Sequence, residues 1–354
     1  NSFCTLLAAE KRQKEDMAFA WLRVPLETTF GPVVGLHWDY YDGKEDGGAA
    51  AGEPTEDGEG APAGKERGAG VPLEGTDDLC DAEDELGAVM WNANGVSCDA
   101  IAARLSSAGA SSTPSALTGW DVLELGAGVG VMGVALALGG ANVLVTDLPR
   151  LEALMRRTLR ENTGTLSRRA ATAGRVAAAG FDWMAKTLPP AVAGFAAGKA
   201  SDGGAKGRRL CVCMCDALYG NPKTWGPLIK HLAAIHDAAV AARGTAPLFL
   251  NFCEQRVANH EDAFFEQLRA ADARWEAATT TLPRKSELGL PVRMTEFSMN
   301  AGSGSANGTA VVASSESDNT QPTLPAKASK KDKRARAGAS PGAERQRKPP
   351  QPNK

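Results

Sequence analysis

The sequence has few histidines, few tyrosines and no long apolar run. Its 354 residues include four histidines and three tyrosines, and aromatic residues make up 6% of the chain. No stretch reaches the ~18 apolar residues of a membrane-spanning helix, so membrane insertion is excluded. Seven scattered cysteines do not form the pattern of a disulfide framework. The histidines, His37, His231, His236 and His260, lack the spacing of a zinc site, and we predict no metal.

Charge and composition divide the chain into four parts. The formal net charge of -3 argues against a protein that binds polyanions as a whole. Residues 1–41 form an N-terminal segment with the apolar alternation of a hairpin, and residues 42–85 form an acidic Gly/Ala-rich insert that we predict to be disordered. Residues 86–300 have the composition of one α/β domain, and residues 301–354 are predicted to be a disordered basic tail. A further Gly/Ala-rich insertion, residues 191–206, is predicted to be a loop.

The most informative segment is residues 121–147, DVLELGAGVGVMGVALALGGANVLVTD. It predicts a buried strand, a glycine-rich turn, a helix over about 131–138, and a second strand that ends at Asp147. Glycines at Gly126, Gly128 and Gly130 allow a tight turn beside a ligand, and the helix N-terminus would face that ligand. A carboxylate at the end of the second strand is placed to accept hydrogen bonds from both hydroxyls of a ribose. The segment predicts a nucleoside-cofactor site.

The glycines alone do not decide between cofactors, because their spacing also fits dinucleotide sites. A glycine turn without any ligand is a further alternative. Glu124, inside the first strand, completes an E-x-G-x-G-x-G pattern that resembles motif I of the seven-strand S-adenosylmethionine-dependent methyltransferases. An acid at this position would hold the amino-acid portion of the ligand, directly or through backbone and water.

The strand-like run at residues 209–214 is followed by Cys215 and then Asp216-Ala-Leu-Tyr219. This segment resembles the Asp-x-x-Tyr motif of methyltransferase family 16, a group of protein-lysine methyltransferases. Four further segments occur in the order that this family shows. The first two are a helix at 86–105 that contains Trp91, and the turn Asp147-Leu-Pro149 with a helix that ends in Asn162. The other two are the segment Phe181-Asp182-Trp183, and residues 248–268, which contain a fifth strand, an E-x-R element and a Phe-Phe helix. The resemblance covers about residues 86–300.

This resemblance implies the fold, the activity and the site. The fold would be a mostly parallel seven-stranded Rossmann-like sheet flanked by helices, the class I methyltransferase fold. The activity would be methyl transfer from S-adenosyl-L-methionine to a lysine side chain of a protein substrate. Asp216 and Tyr219 would face the acceptor. The cofactor would be held by Trp91, Glu124, Gly126, Ala127, Gly128, Asp147, Asp182, Trp183 and Cys215.

Each of these residues also has a structural interpretation. Trp91 and Trp183 fit an apolar core, Asp216 fits an N-cap of the next helix, and Tyr219 fits a packed loop. Asp147 fits a cap of the helix near Pro149. Independently of the family, the order of predicted elements gives a parallel sheet with an antiparallel last strand, whose carboxyl edge collects Glu124, Asp147, Asp182 and Asp216.

Three other functions compete with lysine methylation. They are methylation of a small molecule or a nucleic acid, a catalytically inactive binding module, and an oxidoreductase that uses NAD. The sequence after Tyr219, with Asn221-Pro222, departs from the acidic residues of the family, so the target protein stays open. We expect a cytoplasmic monomer that binds neither membrane nor nucleic acid. The basic run at 330–336 suits a solvated tail, nuclear import or contact with nucleic acid. A start at Asn1 instead of Met suggests a trimmed or incomplete N-terminus, so the sequence does not decide whether a targeting peptide precedes it.

Overall fold

The computed structural model describes residues 18–41, 71–82, 86–106, 115–199, 207–219, 222 and 225–300. Their strands are β1 (Ala18–Leu26), β2 (Val33–Tyr41), β3 (Val71–Pro72), β4 (Trp120–Leu125), β5 (Asn142–Asp147), β6 (Val176–Gly180), β7 (Arg209–Cys215), β8 (Leu248–Glu254), β9 (Trp275–Thr281) and β10 (Val292–Met299). Their α-helices are α1 (Asn94–Leu105), α2 (Val131–Leu138), α3 (Glu152–Glu161), α4 (Thr163–Arg168), α5 (Pro190–Ala196), α6 (Trp225–Arg243) and α7 (Asp262–Ala271). Short 3-10 helices span Asp77–Ala82, Leu86–Ala88 and Pro149–Leu151.

A seven-stranded sheet in the order β6-β5-β4-β7-β8-β10-β9 forms the centre of the domain. The five strands from β6 to β8 pair in parallel, whereas β10 pairs antiparallel with both β8 and β9. Parallel neighbours point their carboxyl ends to one edge, and the chain reverses its order of addition between β4 and β7, which is where ligands bind in such sheets. The predicted α/β fold with an antiparallel last strand is confirmed.

The sheet is buried on both faces, and the side chains of β7 show how. Its cysteines, Cys211, Cys213 and Cys215, all point to the core beneath α1, α2 and the N-terminal hairpin. Leu210, Val212 and Met214 point to the opposite core, beneath α5, α6 and α7. This alternation follows from the two-residue period of a strand. The three cysteines are therefore core residues on one face, as the sequence predicts.

The predicted N-terminal hairpin is present. β1 and β2 pair antiparallel over their full length, and the hairpin lies against α2 and α3. The buried Asn162 attaches it, since its amide oxygen accepts the backbone N–H of Val34 and its amide nitrogen donates to the Val34 carbonyl. His37 Nδ1 accepts the backbone N–H of Met90, the neighbour of Trp91. The hairpin therefore braces the segment that leads into α1.

Three predictions about local structure are wrong. Within the acidic insert, residues 71–82 are ordered, because Val71 and Pro72 pair with β1 and the following side chains of Leu73 and Leu79 are buried. Residues 190–196 form helix α5 instead of a loop, since alanine favours helix, proline suits its first turn and the apolar side chains on one face pack into the core. The helix expected from residue 86 begins at Asn94, so Trp91 precedes it.

Other predictions lie outside the described residues. These are the character of residues 42–70, of the basic tail at 301–354 and of residues 200–206 in the second insertion. Among the helices that the structure describes, none has the length and apolarity needed to cross a membrane.

Candidate functional site

A cavity of about 270 Å³ opens at the carboxyl edge of the sheet, where β4, β5, β6 and β7 end. Four loops contribute to it, and the segment before α1 forms a further wall. The lining residues are Gly87, Trp91, Gly126, Gly128, Asp147, Leu148, Phe181, Asp182, Trp183, Met184, Cys215, Asp216, Ala217 and Tyr219. Nine of the eleven residues predicted for the site line this one cavity, and Glu124 and Ala127 do not.

The turn after β4 is built from glycine because side chains would block it. Gly126 and Gly128 have φ angles of 69° and 54°, in the left-handed region that other residues avoid. A Cβ at Gly126 would lie 2.7 Å from Ala217 Cβ and 3.3 Å from the Trp183 ring. A Cβ at Gly128 would lie 3.0 Å from the Gly87 carbonyl oxygen. The turn thus keeps open the space between the β4 loop and the loops opposite.

Asp147, the last residue of β5, holds this turn in place. Its Oδ2 accepts the backbone N–H of Gly128 at 2.7 Å, and its Oδ1 accepts the N–H of Leu148 at 2.7 Å. A carboxylate oxygen can accept more than one hydrogen bond, so both oxygens keep capacity for the hydroxyls of a ribose. The 3-10 helix that follows has no side-chain cap, so the alternative role of Asp147 as a helix cap is wrong.

The loop after β6 supplies one apolar wall of the cavity. Asp182 Oδ1 accepts the backbone N–H of Met184, a local turn that presents the Trp183 ring to the glycine turn. Met184 is exposed at the mouth, whereas Phe181 is buried beneath the loop and packs its ring edge-on to His231. A flat, half-buried ring beside a cavity is suited to cover the face of a purine base.

Two predicted cofactor residues lie behind the cavity. Glu124 is 2% exposed, and its Oε2 lies 3.0 Å from the position a Cβ of Gly133 would take, on the α2 side of the sheet. Burial raises the pKa of Glu124 to about 8, and the charge of Asp147 adds to the shift. Ala127 packs against the core, and its N–H donates to the Thr146 carbonyl. Neither side chain is therefore placed to contact a ligand in this cavity.

Cys215 ends β7 at the cavity wall. Its Sγ lies 3.3 Å from the Ser97 hydroxyl oxygen of α1, which ties the strand end to that helix. Burial raises the pKa of the Cys215 thiol well above its usual value. A thiol held in this form is not a nucleophile, so Cys215 contributes a small polarisable surface.

Asp216 directly follows β7 and lines the cavity. Its φ of 50° is left-handed, and the residue is 6% exposed. Oδ1 accepts the backbone N–H of Glu254 at 2.8 Å, and Oδ2 pairs with Arg256 Nη2 at 2.9 Å. Burial raises the pKa of Asp216 to about 6, although Arg256 counteracts the shift. Helix α6 begins nine residues later, so Asp216 is not its N-cap.

Arg256 links Asp216 to the cofactor side of the cavity. Its guanidinium carbon lies 4.5 Å from the centroid of the Trp91 ring, and Nη1 lies 3.1 Å from Glu254 Oε2. Tyr219, 50% exposed, stands at the cavity mouth on the loop that starts with Asp216. The E-x-R element of the sequence contains Glu254 and Arg256, but their contact with Asp216 and Trp91 joins three separate segments of the chain and was not predicted.

Five lining residues were also absent from the predicted set. All are direct neighbours of predicted residues or lie in the quoted motifs, so a rule that includes motif neighbours would have found them. They are Gly87, Leu148, Phe181, Met184 and Ala217.

The cavity fits an adenosine-type cofactor with a small charged end. The glycine cradle excludes side chains, Asp147 presents two acceptor oxygens, and aromatic rings stand at both sides. On a parallel sheet of this order, these features define the class of S-adenosylmethionine-dependent methyltransferases.

A family model matches part of the chain. Residues 79–196 match the family described as lysine methyltransferase. The predicted family and its cofactor, S-adenosyl-L-methionine, are thereby confirmed. The match covers the hydrogen-bonded glycine turn and the loop of Trp183, and it ends before β7. No curated protein sequence matches the chain.

Three of the solved structures that match the chain are distant from it in sequence. The glycopeptide N-methyltransferase MtfA, complexed with sinefungin, is 13% identical, with a TM-score of 0.34 and coverage of 58% of this chain and 86% of that one. The O-methyltransferase TomG from Streptomyces achromogenes, in complex with SAM, is 9% identical, with a TM-score of 0.33 and coverage of 58% and 81%. The O-methyltransferase from Bacillus cereus, in complex with SAH, is 11% identical, with a TM-score of 0.33 and coverage of 61% and 84%.

Proposed function

We propose that this methyltransferase transfers the methyl group of S-adenosylmethionine to the ε-amine of a lysine in a protein substrate. One observation carries the proposal. In the wall of the cofactor cavity, Asp216 is held in a left-handed backbone conformation with its carboxylate fixed by Glu254 N–H and Arg256. A fixed, buried carboxylate in the wall of a cofactor cavity is suited to bind a cationic amine that enters the cavity.

The charges around Asp216 favour a basic acceptor. Two carboxyl groups, those of Asp216 and Glu254, face one guanidinium, that of Arg256. The cluster therefore has one more acidic than basic group, and an incoming ammonium would balance it. Exposed apolar side chains at the mouth, Met184 and Tyr219, suit the four-carbon stem of a lysine.

The residues of the chain act by positioning. The sulfonium of the cofactor supplies an activated methyl group, so no covalent intermediate with the enzyme is required. The ammonium must first lose a proton to bulk water so that its lone pair is available, and Asp216 would then accept a hydrogen bond from the neutral amine and orient it. Tyr219 and Trp183 would narrow the opening and exclude water from the transfer. The protein substrate is the partner that this scheme requires.

The proposal is tested with labelled cofactor and protein extract. Purified protein is incubated with S-adenosylmethionine labelled in the methyl group and a soluble cell extract, and the labelled proteins are hydrolysed to amino acids. We expect the label in methyl-lysine, and none when the lysines of the extract are first blocked by acetylation. Label in small molecules or nucleic acid, or equal label in the blocked extract, would contradict a lysine acceptor.

A further inference from the structure

Arg256 joins two parts of the cavity that have different tasks. Its guanidinium lies against the Trp91 ring, which walls the cofactor side, and the same group forms an ion pair with Asp216, which faces the acceptor. The side chain is 20% exposed, so these contacts are only partly screened by water. The arrangement is not contributed by one motif, because Trp91 precedes α1, Asp216 follows β7 and Arg256 follows β8.

The ends of Arg256 are themselves fixed. Its backbone N–H donates to the Glu254 carbonyl at 2.8 Å, and its Nη1 pairs with the Glu254 carboxylate, which is fully buried. Glu254 N–H in turn binds Asp216 Oδ1. The planar guanidinium thus offers one edge to two carboxylates and one face to an indole, a combination that lysine cannot reproduce.

We propose that Arg256 is a positioning residue that couples cofactor binding to acceptor orientation, by holding Trp91 against the cofactor and Asp216 toward the incoming lysine. The inference rests on the proposed function for its acceptor half. The part of the inference that concerns the cofactor depends only on the contact between Arg256 and Trp91. Removal of the guanidinium removes the contact that the Trp91 ring and the Asp216 carboxylate share.

The same geometry predicts a change in the pH profile. The titratable or charged groups that face Asp216 are Arg256 and Glu254 at the end of β8 and the thiols of Cys215 and Cys253. Arg256 lowers the pKa of Asp216 against the effect of burial. Without Arg256 the carboxyl group would take up its proton at higher pH, and the acid limb of kcat/KM would move upward by about one unit.

The experiment compares Arg256→Met, Arg256→Lys and the control Arg157→Met. Arg157 is matched in exposure, at 19%, and in its ion pair with Glu161, but it does not line the cavity. We expect Arg256→Met to lower kcat/KM about a hundredfold and to weaken binding of S-adenosylhomocysteine about threefold. Arg256→Lys should recover little of the loss, and Arg157→Met should resemble the wild type in both measurements. Thermal unfolding of each variant separates these effects from loss of the fold.

Two double-mutant cycles separate the two halves of the proposal. The first cycle combines Arg256→Met with Trp91→Leu and measures the Kd of S-adenosylhomocysteine. The second cycle combines Arg256→Met with Asp216→Asn and measures kcat/KM on blocked and unblocked extract. Non-additive effects in both cycles, together with the shifted acid limb, are the expected result. Additive effects, or an Arg256→Met enzyme with the wild-type pH profile, would overturn the coupling. If no lysine is labelled by the wild type, the proposed function fails, whereas the Kd cycle still tests the contact with Trp91.

Discussion

The cofactor side of the cavity and the side that we propose for the acceptor are built in different ways. On the cofactor side, Gly126, Gly128 and Asp147 lie within one short segment, and their contacts run through backbone N–H groups. On the acceptor side, Asp216, Glu254 and Arg256 come from the ends of two strands and meet through charged side chains. The glycine turn on the cofactor side leaves little room for side chains, whereas the cluster around Asp216 is formed by the side chains themselves.

This difference explains what each side does for specificity. A cofactor common to many enzymes is bound by backbone geometry that any α/β sheet with the glycine turn can form. An acceptor differs from enzyme to enzyme, and its recognition relies on side chains carried by loops. Substitutions that test the two sides should therefore separate binding of the cofactor from turnover.

The largest effect on activity is expected for Asp216→Asn. The amide keeps the shape but cannot bind an ammonium as a carboxylate does, so kcat/KM should fall about a thousandfold, while the Kd of S-adenosylmethionine changes by less than about twofold. Steady-state kinetics and calorimetry measure the two quantities. Because the pKa of Asp216 is raised to about 6, the wild-type profile should lose activity steeply below that pH as the carboxyl group protonates, and the variant should lack this step.

A control for this variant is Asp262→Asn, at a more exposed carboxylate. Asp262 also pairs with an arginine, Arg293, at 2.7 Å, but it does not line the cavity. Normal turnover of the control with a defective Asp216→Asn enzyme would locate the effect on the acceptor side. An equal loss in both would mean that paired carboxylates serve stability alone.

The next effect is expected for Asp147→Ala, on the cofactor side. The substitution removes the two acceptor oxygens and frees the N–H groups of Gly128 and Leu148, so the Kd of S-adenosylmethionine should rise about a hundredfold. Calorimetry measures it, with Asp182→Ala as the comparison, for which a rise of about tenfold is expected because its bond to Met184 is local. Unchanged affinity in Asp147→Ala would remove Asp147 from the cofactor site.

Tyr219→Ala should have a smaller effect, limited to the acceptor. Tyr219 is exposed at the mouth, so loss of the ring removes contact area for the substrate and should raise its KM about tenfold, with kcat nearly unchanged. Tyr219→Phe keeps the ring and should stay close to the wild type. If Phe and Ala are equally defective, the hydroxyl group matters more than the ring.

The smallest effect on activity is expected for Glu124→Gln, which should change stability instead. Since the folded pKa of Glu124 is raised to about 8, the folded protein keeps a proton that the unfolded chain releases near pH 4.5. Stability from this group is therefore present below about pH 4.5 and is lost as the pH rises to about 8. Relative to the wild type, the variant should gain roughly 4 kcal/mol over this range. Denaturant unfolding at pH 5 and pH 8 measures it, and a constant difference between the two proteins would contradict a buried neutral carboxyl.

The cofactor side was predictable because its residues are close in sequence. The run from β4 to Asp147 carries its own strand pattern, glycines and terminal acid, and its Gly126, Gly128 and Asp147 line the cavity, whereas Glu124 and Ala127 do not. For these two, strand alternation and tight backbone bonding turn the side chain away from the cavity, which spacing along the chain does not reveal. Helix α5 was not predicted because its composition resembles that of a loop, and only the packing of Val192 and Phe195 in the core distinguishes it.

The sequence by itself determined the order of elements, the parallel sheet and the identity of the cofactor turn, since these follow from hydrophobic periodicity and from glycine conformations that are local properties of the chain. The tertiary structure alone decided that Arg256 would meet both Trp91 and Asp216, and that Glu124 would be buried behind the sheet. Contacts between distant segments depend on how strands are ordered and how loops pack, and the energies of such contacts are set by burial and distance, which are properties of the folded molecule.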